Sequence, residues 1–175
     1  MWAPDGSGVL ARYLEKSLGS EFDVAAPEMP DATTDPRYRP WQGRIDEELR
    51  GVDGSVILVG HSLGGSVLLK YLAETRPPGP IAGLFLVATP FWGPEGWAND
   101  EFALVEDFAS RLPPMPTFLY HSREDPHVPF AHLALYEEHL PNATSRPIDG
   151  AEHSFMHGLP ALVGDVRQVV VDGNA

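Results

Sequence analysis

Apolar positions recur along this chain in two rhythms, and their alternation predicts an α/β architecture. Near-continuous apolar runs occupy residues 55–60, 81–88 and 117–121. Runs of that kind fit strands buried on both faces, hence a parallel sheet covered by helices. Between them the spacing shifts to steps of three and four. Val9 and Tyr13, then Leu10, Leu14 and Leu18, predict a helix over residues 8–19, with Gly19 as its C-terminal stop. Trp41, Ile45 and Leu49 mark one face of a second helix. Further helices are expected over residues 63–75, closed by Pro77-Pro78, and over 129–139 and 159–171. Short strands are expected at 22–25 and 146–148. Residues 91–111 read as an insertion, aromatic and glycine-rich at first, with a short helix around 102–108. The whole predicts one α/β domain over residues 1–175, a three-layer sandwich with a mostly parallel sheet.

The sharpest local signal lies where the 55–60 run meets the next helix. There Gly60-His61-Ser62-Leu63-Gly64 carries the pattern G-x-S-x-G between a strand and a helix, the layout of a nucleophile elbow. A serine in such a turn projects its hydroxyl above the sheet. Side chains two positions before and after it are expected to collide with the turn, so both places call for glycine.

Composition narrows the picture. The chain has 175 residues, long enough for a substantial core, and 18 prolines, which imply many loops and sharp element ends. The absence of cysteine excludes disulfides, thiolate nucleophiles and cysteine metal sites. A net charge of −13 argues against nucleic acid or anionic membrane as partners. Neither a basic start followed by an apolar run nor a membrane-length apolar stretch is present, so a cytoplasmic location is expected.

A serine hydroxyl needs a base, and the base is usually a histidine oriented by a carboxylate. In parallel α/β sheets reactive groups gather at the carboxyl ends of the strands. Asp125 follows the 117–121 run in a tight loop three residues before Val128-Pro129, with Glu124 as the competing carboxylate. His153 follows Gly150 in a later loop, with His157 as its competitor. The expected constellation is Ser62 as nucleophile, His153 as base and Asp125 as orienting acid. The backbone N–H of Leu63 is expected to be one oxyanion donor. Phe91, Trp92, Trp97 and Phe102 are the candidate walls of an apolar acyl pocket, unless they merely cover the sheet. His61 is expected to pack beneath the elbow and His132 and His139 at a surface or interface; His121 and His127, near the acid loop, are expected in loop packing or solvent, with contact to substrate as the alternative. The seven histidines do not fall at metal-ligand spacings, so no metal is expected.

These residues resemble the α/β-hydrolase superfamily, and more narrowly its small retinoblastoma-binding-protein-like (YdeN-like) serine hydrolases. The resemblance rests on Gly60 to Gly65, on Ala88-Thr89-Pro90-Phe91-Trp92-Gly93, on Asp125 with Val128-Pro129, on Gly150 with His153-Ser154-Phe155, and on Tyr38, Trp41 and Ile45. It implies a compact hydrolase with a triad of Ser62, Asp125 and His153 and no cofactor, acting on a small molecule. A carboxylesterase is the leading expectation; a thioesterase or amidase would use the same triad. The resemblance also implies an apolar strand and a His-Gly loop ahead of the first helix, supplying the second oxyanion donor. The chain lacks both. Either the natural chain is longer at its front, the explanation we favour, or the elbow strand pairs with residues 22–25 or lies at an open edge. The missing loop also admits a non-catalytic binding protein built on the same scaffold.

Overall fold

The computed structural model describes residues 5–31 and 37–173. Four parallel strands form its sheet: β1 (Val56–His61), β2 (Ile81–Val87), β3 (Thr117–Ser122) and β4 (Thr144–Ile148), in the order β1-β2-β3-β4. Parallel strands need crossover connections. Helix α3 (Leu63–Glu74) joins β1 to β2, and α5 (Ala131–His139) joins β3 to β4. The short α4 (Phe108–Arg111) lies in the β2–β3 connection. Helices α1 (Asp5–Leu18) and α2 (Tyr38–Arg50) precede the sheet, and α6 (Pro160–Gly173) closes the chain.

Two apolar clusters place the helices on opposite faces. Leu10, Leu14 and Leu18 of α1 meet Leu162, Val163 and Val166 of α6 over Phe85, Val87 and Tyr120. Trp41, Ile45 and Leu49 of α2 pack with Val67, Leu69 and Leu72 of α3 over Leu84, Leu86 and Leu119. Alternate residues of β2 therefore serve opposite layers, which is why its run is apolar throughout. Helix α1 stops where Gly19 adopts φ 60°, as its sequence implied. Pro160 opens α6 at a position where a missing N–H costs nothing.

Two expected elements are corrected. Residues 22–25 form no strand. Phe22 and Val24 do alternate inward, against the α1–α6 cluster, while Met29 packs on the opposite one. The segment uses its side chains without entering the sheet, so β1 pairs with β2 alone among the described residues. The expected helix around 102–108 is instead a pair of turns, with α4 beginning only at Phe108. Phe102 and Phe108 are buried side chains, so the apolar spacing there reports burial rather than helix.

Candidate active site

The carboxyl ends of the strands lie level, because the backbone ladder continues past them. Ser62 N–H donates to Val87 O at 2.8 Å, Ala88 N–H to Tyr120 O at 2.8 Å, and Arg123 N–H to Ile148 O at 3.0 Å. The residues just after β1, β3 and β4 are thereby held at one end of the sheet.

Ser62 occupies the turn between β1 and α3 with φ 53° and ψ −126°, a conformation that costs an L-residue on the order of 1–3 kcal/mol. The turn needs close backbone approach. A Cβ on Gly60 would lie 2.5 Å from the Gly65 Cα and 2.7 Å from its nitrogen, neither of which can yield. The second crowded glycine is Gly65, whose added Cβ would overlap Thr89, and not Gly64, whose Cβ would meet nothing. The glycine requirement after the serine thus falls one residue later than the pattern suggests.

Three candidate side chains meet here. His153 Nε2 lies 3.0 Å from Ser62 Oγ, and His153 Nδ1 lies 2.7 Å from Asp125 Oδ2. The other Asp125 oxygen accepts the N–H groups of His127 at 2.8 Å and Val128 at 3.0 Å. Burial alone would raise the Asp125 pKa, but the hydrogen bonds from His153 and from the Val128 and His127 amides outweigh it and hold the carboxyl below its ordinary range. The imidazole therefore has its Nδ1–H on a carboxylate and its Nε2 lone pair toward the serine hydroxyl.

Glu124, the rival acid, has a separate place. Its carboxylate accepts the Gly150 N–H at 2.9 Å, while Ser122 Oγ donates to Ala151 O in a short bond. Together these bracket the loop that delivers His153. The Ser122–Glu124 bracket was missed in the sequence; the only signal for it was a second carboxylate beside Asp125. His157 makes no contact with the three side chains among the interactions described.

The remaining histidines are enclosed more often than their polarity suggests. His61 is buried as expected. His121 is buried, with Nε2 on Val128 O at 2.9 Å, so it braces the acid loop. His132, expected at a surface, is buried and its Nδ1 accepts the Phe91 N–H at 2.9 Å. His127 is exposed and sets its ring 5.1 Å from that of His153.

Burial pushes His61 down from 6.5 to about 4, and burial lowers His121 and His132 as well. The unfolded chain binds these protons near pH 6.5 and the folded chain does not, so stability rises with pH across this window. Stability is expected to be full above 6.5 and to fall as pH drops toward 4, by on the order of 3 kcal/mol from His61 alone. Urea midpoints measured across that interval test it; a flat profile would show that these imidazoles are not held neutral.

The aromatic insertion divides. Phe91, expected to wall a pocket, is a core residue: its ring packs on Tyr136 at 5.0 Å and His139 at 5.1 Å. Trp92 and Trp97 are half-buried, with ring centroids 5.3 Å apart. Trp92 Nε1 donates to Ser66 Oγ at 2.9 Å, which anchors it on α3 one turn beyond Ser62. Two surface clefts, about 300 Å³ beside Thr75 and Arg111 and about 470 Å³ beside Tyr38 and Lys70, contain none of Ser62, Asp125 and His153. At the start of α3 the Leu63 N–H has no backbone acceptor among the described residues, because the first N–H groups of a helix have no carbonyl one turn before them.

The sequence profile of the serine hydrolase family matches residues 9–151, most of the chain. The chain belongs to the serine hydrolase family. The matched span includes Ser62 and Asp125 and stops short of His153. No curated protein matches the hydrolase in sequence. Solved structures do match it in fold. It is similar to the ydeN gene product of B. subtilis, at TM-score 0.74 and 17% identity over 91% of this chain and 89% of that one. The esterase RhEst1 from Rhodococcus sp. ECU1013 matches at TM-score 0.72 and 18% identity, over 94% of this chain and 86% of its own. The serine hydrolase CCSP0084 from the polyaromatic hydrocarbon-degrading Cycloclasticus zankles matches at TM-score 0.64 and 14% identity, over 97% and 84%. At these identities the likeness establishes the α/β-hydrolase fold. Among the described residues no helix of the hydrolase is long and apolar enough to cross a membrane.

Proposed function

We propose that the hydrolase is a carboxylesterase for small esters, with Ser62, His153 and Asp125 as its catalytic triad. The carrying observation is the pair of contacts on one imidazole, 3.0 Å to Ser62 Oγ and 2.7 Å to Asp125 Oδ2. Ser62 Oγ attacks the ester carbonyl while its proton passes to His153 Nε2. Asp125 stabilises the imidazolium and keeps its ring in place. The carbonyl oxygen becomes an oxyanion, for which the Leu63 N–H is a donor free of backbone partners. On collapse the C–O bond to the alcohol breaks, and His153 returns the proton to the departing alkoxide. An acyl group is left on Ser62. Water then gives its proton to His153 as it attacks, and the acid is released with Ser62 restored.

One observation favours a small ester. Trp92, fixed to α3 one turn from Ser62, and Trp97 beside it offer a short apolar wall. An esterase among the structures of the same fold adds support. A fluorophosphonate probe followed by peptide mapping, together with p-nitrophenyl acetate hydrolysis, tests the reading. Labelling is expected at Ser62. A folded protein that is neither labelled nor active on the ester would overturn it and favour a binding role for the scaffold.

A further inference from the structure

His61 takes no part in these proton transfers, yet it adjoins both the nucleophile and the base. It ends β1, directly before Ser62. Its ring lies 4.9 Å from that of His153 and edge-on to Phe155 at 6.5 Å. We propose that His61 is a positioning residue that holds the base by its main chain: its Nε2–H donates to the His153 carbonyl oxygen at 2.7 Å, tying the strand of the nucleophile to the loop of the imidazole. The proposal rests on the triad reading.

Two further observations carry it. His61 Nδ1 is buried without a hydrogen-bond partner among the described residues. A proton there would have no acceptor, so the proton belongs on Nε2, where the His153 carbonyl receives it. A histidine with one orphaned nitrogen is a poor choice for filling space, because an apolar side chain would avoid the desolvation penalty of the unpaired atom. What His61 adds over such a side chain is its Nε2–H. The second observation is backbone strain. Phe155, two residues beyond His153, adopts φ 49°, a conformation that persists only where surrounding contacts hold it. The His61 bond is one such hold, applied at the residue whose ring must meet both Ser62 and Asp125. The charged and titratable groups around it are His153 itself and Asp125, with the His127 ring 5.1 Å from that of His153.

The experiment uses the full chain. In the wild type, ¹⁵N-histidine spectra are expected to show His61 as the neutral Nε2–H tautomer; an Nδ1–H tautomer overturns the proposal without reference to activity. His61→Leu removes the donor and His61→Gln keeps one. For p-nitrophenyl acetate, His61→Leu is expected to lower kcat by about 10²-fold, the cost of a small misplacement of a reacting group, with KM little changed. The low-field Nδ1–H resonance of His153 is expected to broaden in His61→Leu and to persist in His61→Gln, which regains most of the rate. A folded His61→Leu protein at parental kcat overturns the idea, as does a His61→Gln protein as slow as His61→Leu. If His61→Leu fails to fold, the tautomer and the glutamine variant decide. A wild-type protein that never labels at Ser62 overturns the triad reading instead, and the tautomer still judges the His61 bond.

Discussion

Replacing Ser62 by alanine is expected to lower kcat for p-nitrophenyl acetate by about 10⁶-fold and to abolish fluorophosphonate labelling. The magnitude follows from how the three side chains act. His153 and Asp125 have nothing to activate once the hydroxyl is gone, so their contribution disappears with it. The fold should survive. Ser62 Oγ has one side-chain partner, His153 Nε2, and that ring keeps its bond to Asp125. Unfolding free energy is therefore expected to change by no more than about 1 kcal/mol. Glycine at the same position is the sharper companion. The backbone at Ser62 holds φ 53° and ψ −126°, which glycine adopts without a Cβ penalty. Ser62→Gly is expected to be equally inactive and at least as stable as the parent in a denaturant titration. An inactive but clearly destabilised glycine variant would mean that the elbow is not strained.

What could be read from the chain, and what could not, follows from the range of the interactions involved. β1, Ser62 and α3 are contiguous, and a strand, a tight turn and a helix each mark the residues they contain. β2 and β3 are buried on both faces, so their apolar runs are unbroken. β4 carries Arg146 and Pro147 and is at most half-buried, so only residues 146–148 of Thr144–Ile148 stood out. Residues 22–25 have the alternation of a strand, but alternation describes which side chains turn inward and says nothing of a pairing partner. The partners of His121 and His132 were invisible for a related reason. These rings bond to the Val128 carbonyl and the Phe91 N–H, backbone groups that nearly every residue has. Only the fold brings them within reach. The meeting of Ser62, Asp125 and His153 was legible because each follows a recognisable strand at its carboxyl end, where this class of sheet gathers its reactive groups.

Asp125→Asn should separate the two carboxylates that compete in the acid loop. The three hydrogen-bond partners of the Asp125 carboxylate are all donors: His153 Nδ1–H at 2.7 Å from Oδ2, and the His127 and Val128 amides at 2.8 and 3.0 Å from Oδ1. Its side chain is fully buried, so water cannot repair a mismatch. An asparagine offers one acceptor and one donor group in place of two acceptors. With its NH₂ on the backbone amides, two buried hydrogen bonds are lost. With its oxygen there and its NH₂ toward His153, one contact must change, and the imidazole can relieve it by moving its proton to Nε2. That is the lower-cost outcome. It leaves no lone pair to receive the Ser62 proton. A fall in kcat of about 10⁴-fold is expected, with the protein still folded. ¹⁵N spectra should show His153 as the Nε2–H tautomer, whereas the parent shows Nδ1–H. Glu124→Gln is the control. Its carboxylate is exposed and accepts the Gly150 N–H, a bond that the glutamine oxygen can still make. A loss of less than about tenfold is expected there, because positioning alone is touched and largely retained. If Glu124→Gln proved the more damaging of the two, the acid of the triad would be Glu124, and the short Asp125–His153 contact would be a structural ion pair.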